Sequence, residues 1–157
     1  TIAENIDFGR GLAREKIVFA ADCAQAKNFI ERFPGGFDYR LSPKGTNLSG
    51  GQKQRILIAR ALANRPEILI LDDASSALDY QTDAHLRQAL REHFSDTTTI
   101  VVAQRISSVM KADRIIVLEE GRVVGSGTHD ELMRSCTLYR EIGHSQIGGE
   151  VVVPENK

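Results

Sequence analysis

The sequence predicts an α/β fold with a helical segment ahead of the strands, and three observations carry that prediction. Short apolar or β-branched runs of strand length recur beyond residue 65, at positions 68–71, 97–103 and 114–118. Helix-forming stretches separate them, so strand and helix alternate as they do around a parallel sheet. The first 41 residues, by contrast, read as helical and irregular.

Taken in order, residues 20–33 hold good helix formers and stop at Pro34-Gly35-Gly36. Residues 42–47 form a loop. A helix is predicted over 51–63, apolar on nearly every side and ending before Pro66. Residues 68–71 have the unbroken apolar character of a strand buried on both faces of a parallel sheet. A helix follows over 81–93, then the strand at 97–103, a short helix near 107–111 and the strand at 114–118. Glu119-Glu120-Gly121 is a turn, and residues 122–125 return as a hairpin. Thr128 and Glu131 have the spacing of a capping box opening the last helix. Beyond Gly148 the tail reads as disordered.

The bulk properties narrow the function. With 20 basic and 21 acidic residues the net charge is −1, which argues against a dedicated nucleic-acid surface. Cys23 and Cys136 belong to no Cys-x-x-Cys pair and read as reduced thiols. Neither stands at metal-ligand spacing from His85, His93, His129 or His144; His85 and His93 are placed on the exposed side of one helix. No segment is apolar for the ~20 residues that a helical membrane span needs. The chain opens on Thr1 rather than Met, which fits an excised domain.

The chemistry concentrates around residue 50. Leu48-Ser49-Gly50-Gly51-Gln52 runs straight into a helix, followed by Lys53-Gln54-Arg55. Glycines let a backbone approach a phosphate closely, and a helix start offers free N–H groups with a partial positive charge. The Ser49 hydroxyl can add a hydrogen bond. Ser-Gly-Gly by itself reads more readily as a glycine-rich cap with no ligand.

The longer run resembles the signature motif of the ATP-binding-cassette (ABC) transporters, and other segments match in order and spacing. Residues 68–71 with Asp72 and Asp73 resemble the Walker B strand, and Ser76-Ala77-Leu78-Asp79 resembles the D-loop. Ala103-Gln104-Arg105 stands where the switch, or H-loop, belongs. The closing hairpin with Gly127-Thr128-His129-Asp130-Glu131-Leu132 also resembles the family, and the opening Thr1-Ile2-Ala3-Glu4-Asn5-Ile6 resembles the segment after the Q-loop in its exporters, the multidrug and lipid type. The likeness covers about residues 1–147.

It implies a partial P-loop NTPase (RecA-like) core of the ABC ATPase fold with an α-helical subdomain. On that division residues 1–64 are the helical subdomain, 65–147 the later part of the core, and 148–157 a tail. The likeness also implies ATP and Mg²⁺ as ligands, an ATPase activity coupled to transport, and a place at the cytoplasmic face of a membrane. Its implied partners are a second nucleotide-binding domain and transmembrane domains, with no nucleic acid. Asp72 would serve magnesium, through water. Leu48, Ser49, Gly50, Gly51, Gln52 and Asp79 would line nucleotide, Asp79 more by shaping the dimer contact than by chemistry.

Four departures stand out. The sequence holds no Walker A pattern, G-x-x-x-x-G-K-[S/T], so by itself it is expected to bind ATP weakly and to be inactive. Apolar strands such as 68–71 would then be left partly uncovered, which invites self-association. Where the family carries a Glu to polarise the attacking water there is Asp73, shorter by one bond, roughly 1.5 Å. Where it carries a switch His there is Gln104, which hydrogen-bonds but cannot take up a proton charge. Pro43 replaces a Glu common in exporters ahead of the signature, and Lys44 is a candidate for the coupling contact.

In cassettes thought to pack head to tail, Asp72, Asp73 and Gln104 would serve this chain's own site. Ser49, Gly51 and Gln52 would serve the partner's. A heteromer with one degenerate site follows, against a homodimer that hydrolyses slowly with Asp as base. A soluble ABC-type ATPase of DNA repair or translation, and a purely structural half-cassette, are the other readings.

Overall fold

A computed structural model describes residues 1–74 and 76–147. They form two compact units, Thr1–Val102 and the residues from Ala103 onward, each with its own apolar core.

In the first unit Thr1 and Glu4 make a capping box that starts α1 (Ile2–Asp7), and Ile2 and Ile6 are fully buried. The helix expected over 20–33 is instead two. The first, α2 (Arg14–Cys23), begins earlier, and α3 (Lys27–Ile30) is a single turn. Between them Gln25 takes φ of 58°, a left-handed conformation that a right-handed helix cannot continue. α4 (Gly50–Leu62) packs on α1 and α2. It buries Ile56, Ile58, Ala59 and Leu62 but leaves Leu57 half exposed, so it is apolar toward its neighbours rather than on nearly every side.

Two arginines fasten this helix. Arg60 Nε donates to the Asn5 carbonyl at 2.6 Å, and its guanidinium lies 4.4 Å from the Phe8 ring centroid. Arg55 donates to the Gln25 carbonyl at 2.9 Å and lies 4.7 Å from the Phe29 ring centroid. Both act as structural cations.

β1 (Ile68–Asp72), α5 (Tyr80–His93) and β2 (Thr98–Val102) follow. The strands run parallel, from Ile68 beside Thr98 to Asp72 beside Val102. Leu69 and Leu71 enter the helical core, while Ile68 is 61% and Ile70 63% exposed. Burial on both faces is therefore not found. One face of the pair, with Ile100, Val101 and Val102 also exposed, lies open among the described residues.

The second unit holds α6 (Ile106–Val109), β3 (Ile115–Glu119), β4 (Arg122–Gly127), α7 (His129–Ser135) and α8 (Thr137–Ile147). β3 and β4 form the expected antiparallel hairpin. Its turn needs positive φ at Glu120 (47°) and Gly121 (75°), the requirement of a tight two-residue hairpin turn. Thr128 and Glu131 make the expected capping box. The helix they open is not the last, because Cys136 turns extended (φ −113°, ψ 109°) and α8 follows it. A Cβ on Gly125 would lie 3.0 Å from Cys136 Sγ and Leu132 Cδ2, so β4 meets the helices through a glycine.

Cys23 and Cys136 are free and buried. Burial pushes the Cys23 thiol up to about 11. His85 and His93 are exposed on α5, as expected. The disorder expected beyond Gly148 lies outside the described residues.

Candidate functional site

The signature occupies the start of α4. Ser49 is its N-cap: the Oγ accepts from the Gln52 N–H at 3.3 Å, and Gln52 Oε1 accepts from the Ser49 N–H at 2.9 Å. The spacing Ser-x-x-Gln is a capping-box signal, legible in the sequence and overlooked there. The Gln52 side-chain oxygen is thus engaged in the cap. The Ser49 oxygen spends a lone pair on the cap, which leaves its O–H hydrogen to donate elsewhere. Lys53 N–H already donates to the Ser49 carbonyl at 3.0 Å. Gly50 and Gly51 are left as the helix-start amides without an intrahelical acceptor.

The two glycines serve different ends. A Cβ on Gly51 would meet the Ala77 carbonyl oxygen at 3.0 Å, whereas one on Gly50 would meet nothing within 4 Å. Gly51 is small so that α4 can lie against the D-loop of its own chain. Gly50 is the position whose open side can admit a ligand. Ahead of them Leu48 packs on the core and bonds the Gly45 carbonyl through its N–H at 3.0 Å. Asn47 Oδ1 accepts from the Ser42 N–H at 3.0 Å, closing the loop before the signature. Pro43–Gly45 is a single 3-10 turn with Lys44 exposed at φ of 59°.

Asp79 is the N-cap of α5. Oδ1 accepts from the Thr82 N–H at 2.9 Å and Oδ2 from the Thr82 hydroxyl at 2.7 Å. These bonds, the backbone one foremost, hold the carboxyl below its ordinary value. Burial lowers Arg55 from its ordinary value, and the charge of Asp79 opposes that shift. Signature helix and D-loop therefore face each other within the first unit.

Asp72 ends β1 beside Val102 and is exposed. Because it is exposed, no cost of burying an unpaired carboxylate arises at Asp72. Asp73 follows at φ of 47°, a left-handed conformation that Asp tolerates better than most residues. Its N–H donates to the Val102 carbonyl at 3.0 Å, and its carbonyl accepts from the Ser76 hydroxyl at 2.9 Å. The backbone of Asp73 is thus held at both ends while its side chain stays exposed. Gln104 belongs to the second unit, where its side chain is exposed and its carbonyl accepts from Gln146 Nε2 at 2.7 Å.

Among the described residues no three His, Cys, Asp or Glu side chains gather as a metal cage. An exposed carboxylate at a strand end, as Asp72 is, fits Mg²⁺, which keeps waters and substrate phosphates in its shell rather than a protein cage.

With this geometry in place, the comparisons with known proteins agree. The ABC transporter family model matches residues 1–76. An uncharacterised ABC transporter ATP-binding protein, YfiB of Bacillus subtilis, is 48% identical over 96% of this chain and 26% of its own length. An ATP-dependent lipid A-core flippase of Aromatoleum aromaticum is 42% identical over 100% of this chain and 26% of its own. A solved structure, a bacterial Atm1-family ABC exporter with ATP bound, superimposes with a TM-score of 0.90 at 41% identity, over 94% of this chain and 26% of that one. The chain thus spans about a quarter of the length of the relatives it matches. A signature capped as a helix start, a carboxylate pair at the end of a parallel strand and these likenesses converge: the chain belongs to the ABC transporter family, and its fold is part of the ABC ATPase fold.

Proposed function

We propose that this chain is part of the ATP-binding and hydrolysing domain of an ABC exporter, acting at a membrane's cytoplasmic face with transmembrane domains and a second nucleotide-binding domain. The observation that carries the reading is the start of α4. The Gly50 and Gly51 amides have no intrahelical acceptor, Gly50 is open on its side-chain face, and the Ser49 hydroxyl keeps a hydrogen to donate. Together with the helix dipole these groups suit the terminal phosphate of a nucleotide held by the partner.

Hydrolysis requires water to attack that phosphorus as the bond to the bridging oxygen breaks and the water's proton passes to a base. In this chain's own site Asp72 would hold Mg²⁺, which would neutralise phosphate charge. Asp73 is the residue next to the attacking water, and Gln104 donates its amide to the phosphate. A base must lie within hydrogen-bonding reach of its proton and contributes about 10²–10⁴-fold in rate. Asp73, one bond shorter than Glu, forfeits most of that, and Gln104 carries no charge. The own site therefore binds nucleotide and turns it over poorly, while the intact signature completes the competent site of a different partner chain.

The test is ATP turnover by the full-length protein alone and with candidate partners. Brisk turnover alone would sink the heteromer. Asp73→Glu is expected to raise turnover at the own site at least tenfold, an order-of-magnitude figure from the size of base catalysis; no change would remove Asp73 from the water's vicinity.

A further inference from the structure

We infer that Gln146, in the last turn of α8, is a positioning residue that sets where Gln104 points. The inference rests on the reading that Gln104 meets the terminal phosphate.

The helix α6 cannot cap its own start. α6 is four residues long, and its N-cap, Arg105, makes no side-chain cap hydrogen bond. A guanidinium has donors only and cannot accept from a helix-start amide. Ile106, the first residue of α6, has its side chain buried in the core of this unit with Ile115, Val117 and Leu132. Its N–H therefore needs an acceptor that Arg105 cannot supply.

α8 supplies it. The helix comes close at Gly143, where a Cβ would lie 3.3 Å from Ile106 Cδ1 and 3.6 Å from Met133 Sδ. Three residues on, and so on the same face, Gln146 Oε1 accepts from the Ile106 N–H at 2.8 Å. The other half of the same amide, Nε2, donates to the Gln104 carbonyl at 2.7 Å. One side chain thus grips both ends of the three-residue switch, Gln104-Arg105-Ile106.

The chemistry selects glutamine. The grip needs one acceptor and one donor fixed in a plane: Glu offers no donor and Lys no acceptor. Turning the amide over would set oxygen against the Gln104 carbonyl and NH₂ against the Ile106 N–H, so the partners themselves dictate its orientation. Held at the carbonyl of 104 and the amide of 106, the intervening peptide planes lose their freedom to rotate. The direction in which the Gln104 side chain leaves the backbone is set with them. A phosphate contact demands placement to within about 0.5 Å, which an exposed loop does not secure by itself.

The experiment uses the full-length protein in its assembly. It compares binding at this chain's own site of Mg²⁺ with ADP, and of Mg²⁺ with the non-hydrolysed imido analogue of ATP. Because ADP lacks the terminal phosphate, a loss confined to the analogue reports on that contact and not on general stability. Gln146→Leu is expected to speed hydrogen exchange at the Ile106 amide and to weaken the analogue about tenfold, the scale of a lost charge-assisted hydrogen bond, with ADP unchanged. Gln104→Ala is expected to do the same to the analogue, and the double variant to lose no more than Gln104→Ala alone.

Gln146→Glu keeps the acceptor for Ile106 and loses the donor. It should weaken the analogue by about threefold, a partial loss on the same scale, and it serves if Gln146→Leu fails to assemble. If Gln104→Ala spares the ATP-to-ADP preference, the phosphate reading of Gln104 fails and the clamp with it. If Gln104→Ala abolishes that preference while both Gln146 variants keep it, or if Gln146→Leu costs as much again in the Gln104→Ala background, only the clamp is overturned.

Discussion

The helices of the first unit and its two strands use the same residues to opposite effect. In α1, α3 and α4, Ile2, Ile6, Ile30 and Leu62 are almost wholly buried, because the helices cover one another and arginines tie down their edges. In β1 and β2, Ile68, Ile70, Ile100 and Val102 are among the most exposed apolar side chains. Leu69 and Leu71 on the opposite side of β1 show that the strand itself is well placed. A helix bundle closes its core with few elements, whereas a parallel strand pair needs a layer on each face. The helical part completes itself within the described residues, and the strand pair does so on one face only.

That contrast can be broken most decisively by equal deletions on its two sides. Leu62→Ala is expected to destabilise the 157-residue chain by about 2–5 kcal/mol, the cost of a core cavity. Ile70→Ala on the open face is expected to cost less than about 0.5 kcal/mol. Both are read by urea denaturation, and equal losses would mean that the open face is covered in solution.

The glycine pair sharpens the comparison at the signature. Gly51→Ala drives a methyl onto the Ala77 carbonyl and should cost about 1–3 kcal/mol by overpacking. Gly50→Ala meets nothing and should be stabilising by roughly 0.5–1 kcal/mol, since alanine is the better helix former. Thermal melts of the two variants give the answer. If both lose stability alike, the assignment of Gly51 to packing and Gly50 to ligand is wrong.

A smaller effect tests the helical core by titration. The folded state raises the Cys23 thiol from 9.0 to about 11, so it holds the proton more tightly than the unfolded chain does. Stability should be unaffected below pH 9 and decline as pH rises from 9.0 toward about 11. Cys23→Ala should flatten that part of the stability profile. The smallest expected effect is on association: the chain should self-associate weakly through the open strand face, and Ile70→Lys should return it toward monomer in sedimentation.

Much of this was legible in the residues, and the misses have physical causes. The strands, the hairpin turn and the Thr128 cap are local signals, and they stand where periodicity and turn chemistry put them. Residues 20–33 do not form the single helix their composition predicts, because Gln25 takes a left-handed backbone that nothing in its side chain announces. The Ser49–Gln52 box is written in the spacing Ser-x-x-Gln, but the same residues also match a ligand motif, which masks the capping signal. The grip of Gln146 on residues 104 and 106 links positions 42 and 40 apart in sequence, beyond the reach of any local pattern.

The sequence by itself determined the family and the order of the strands, and it names the residues proposed to face nucleotide. These depend on short-range spacing and on side-chain chemistry, which are written along the chain. Only the tertiary structure decided which glycine of the signature is spent on packing, which face of β1 is covered and which side chain bonds to the backbone at 104 and 106. Each of those depends on atoms brought close by the fold, where steric exclusion at about 3 Å and the pairing of buried polar groups are settled.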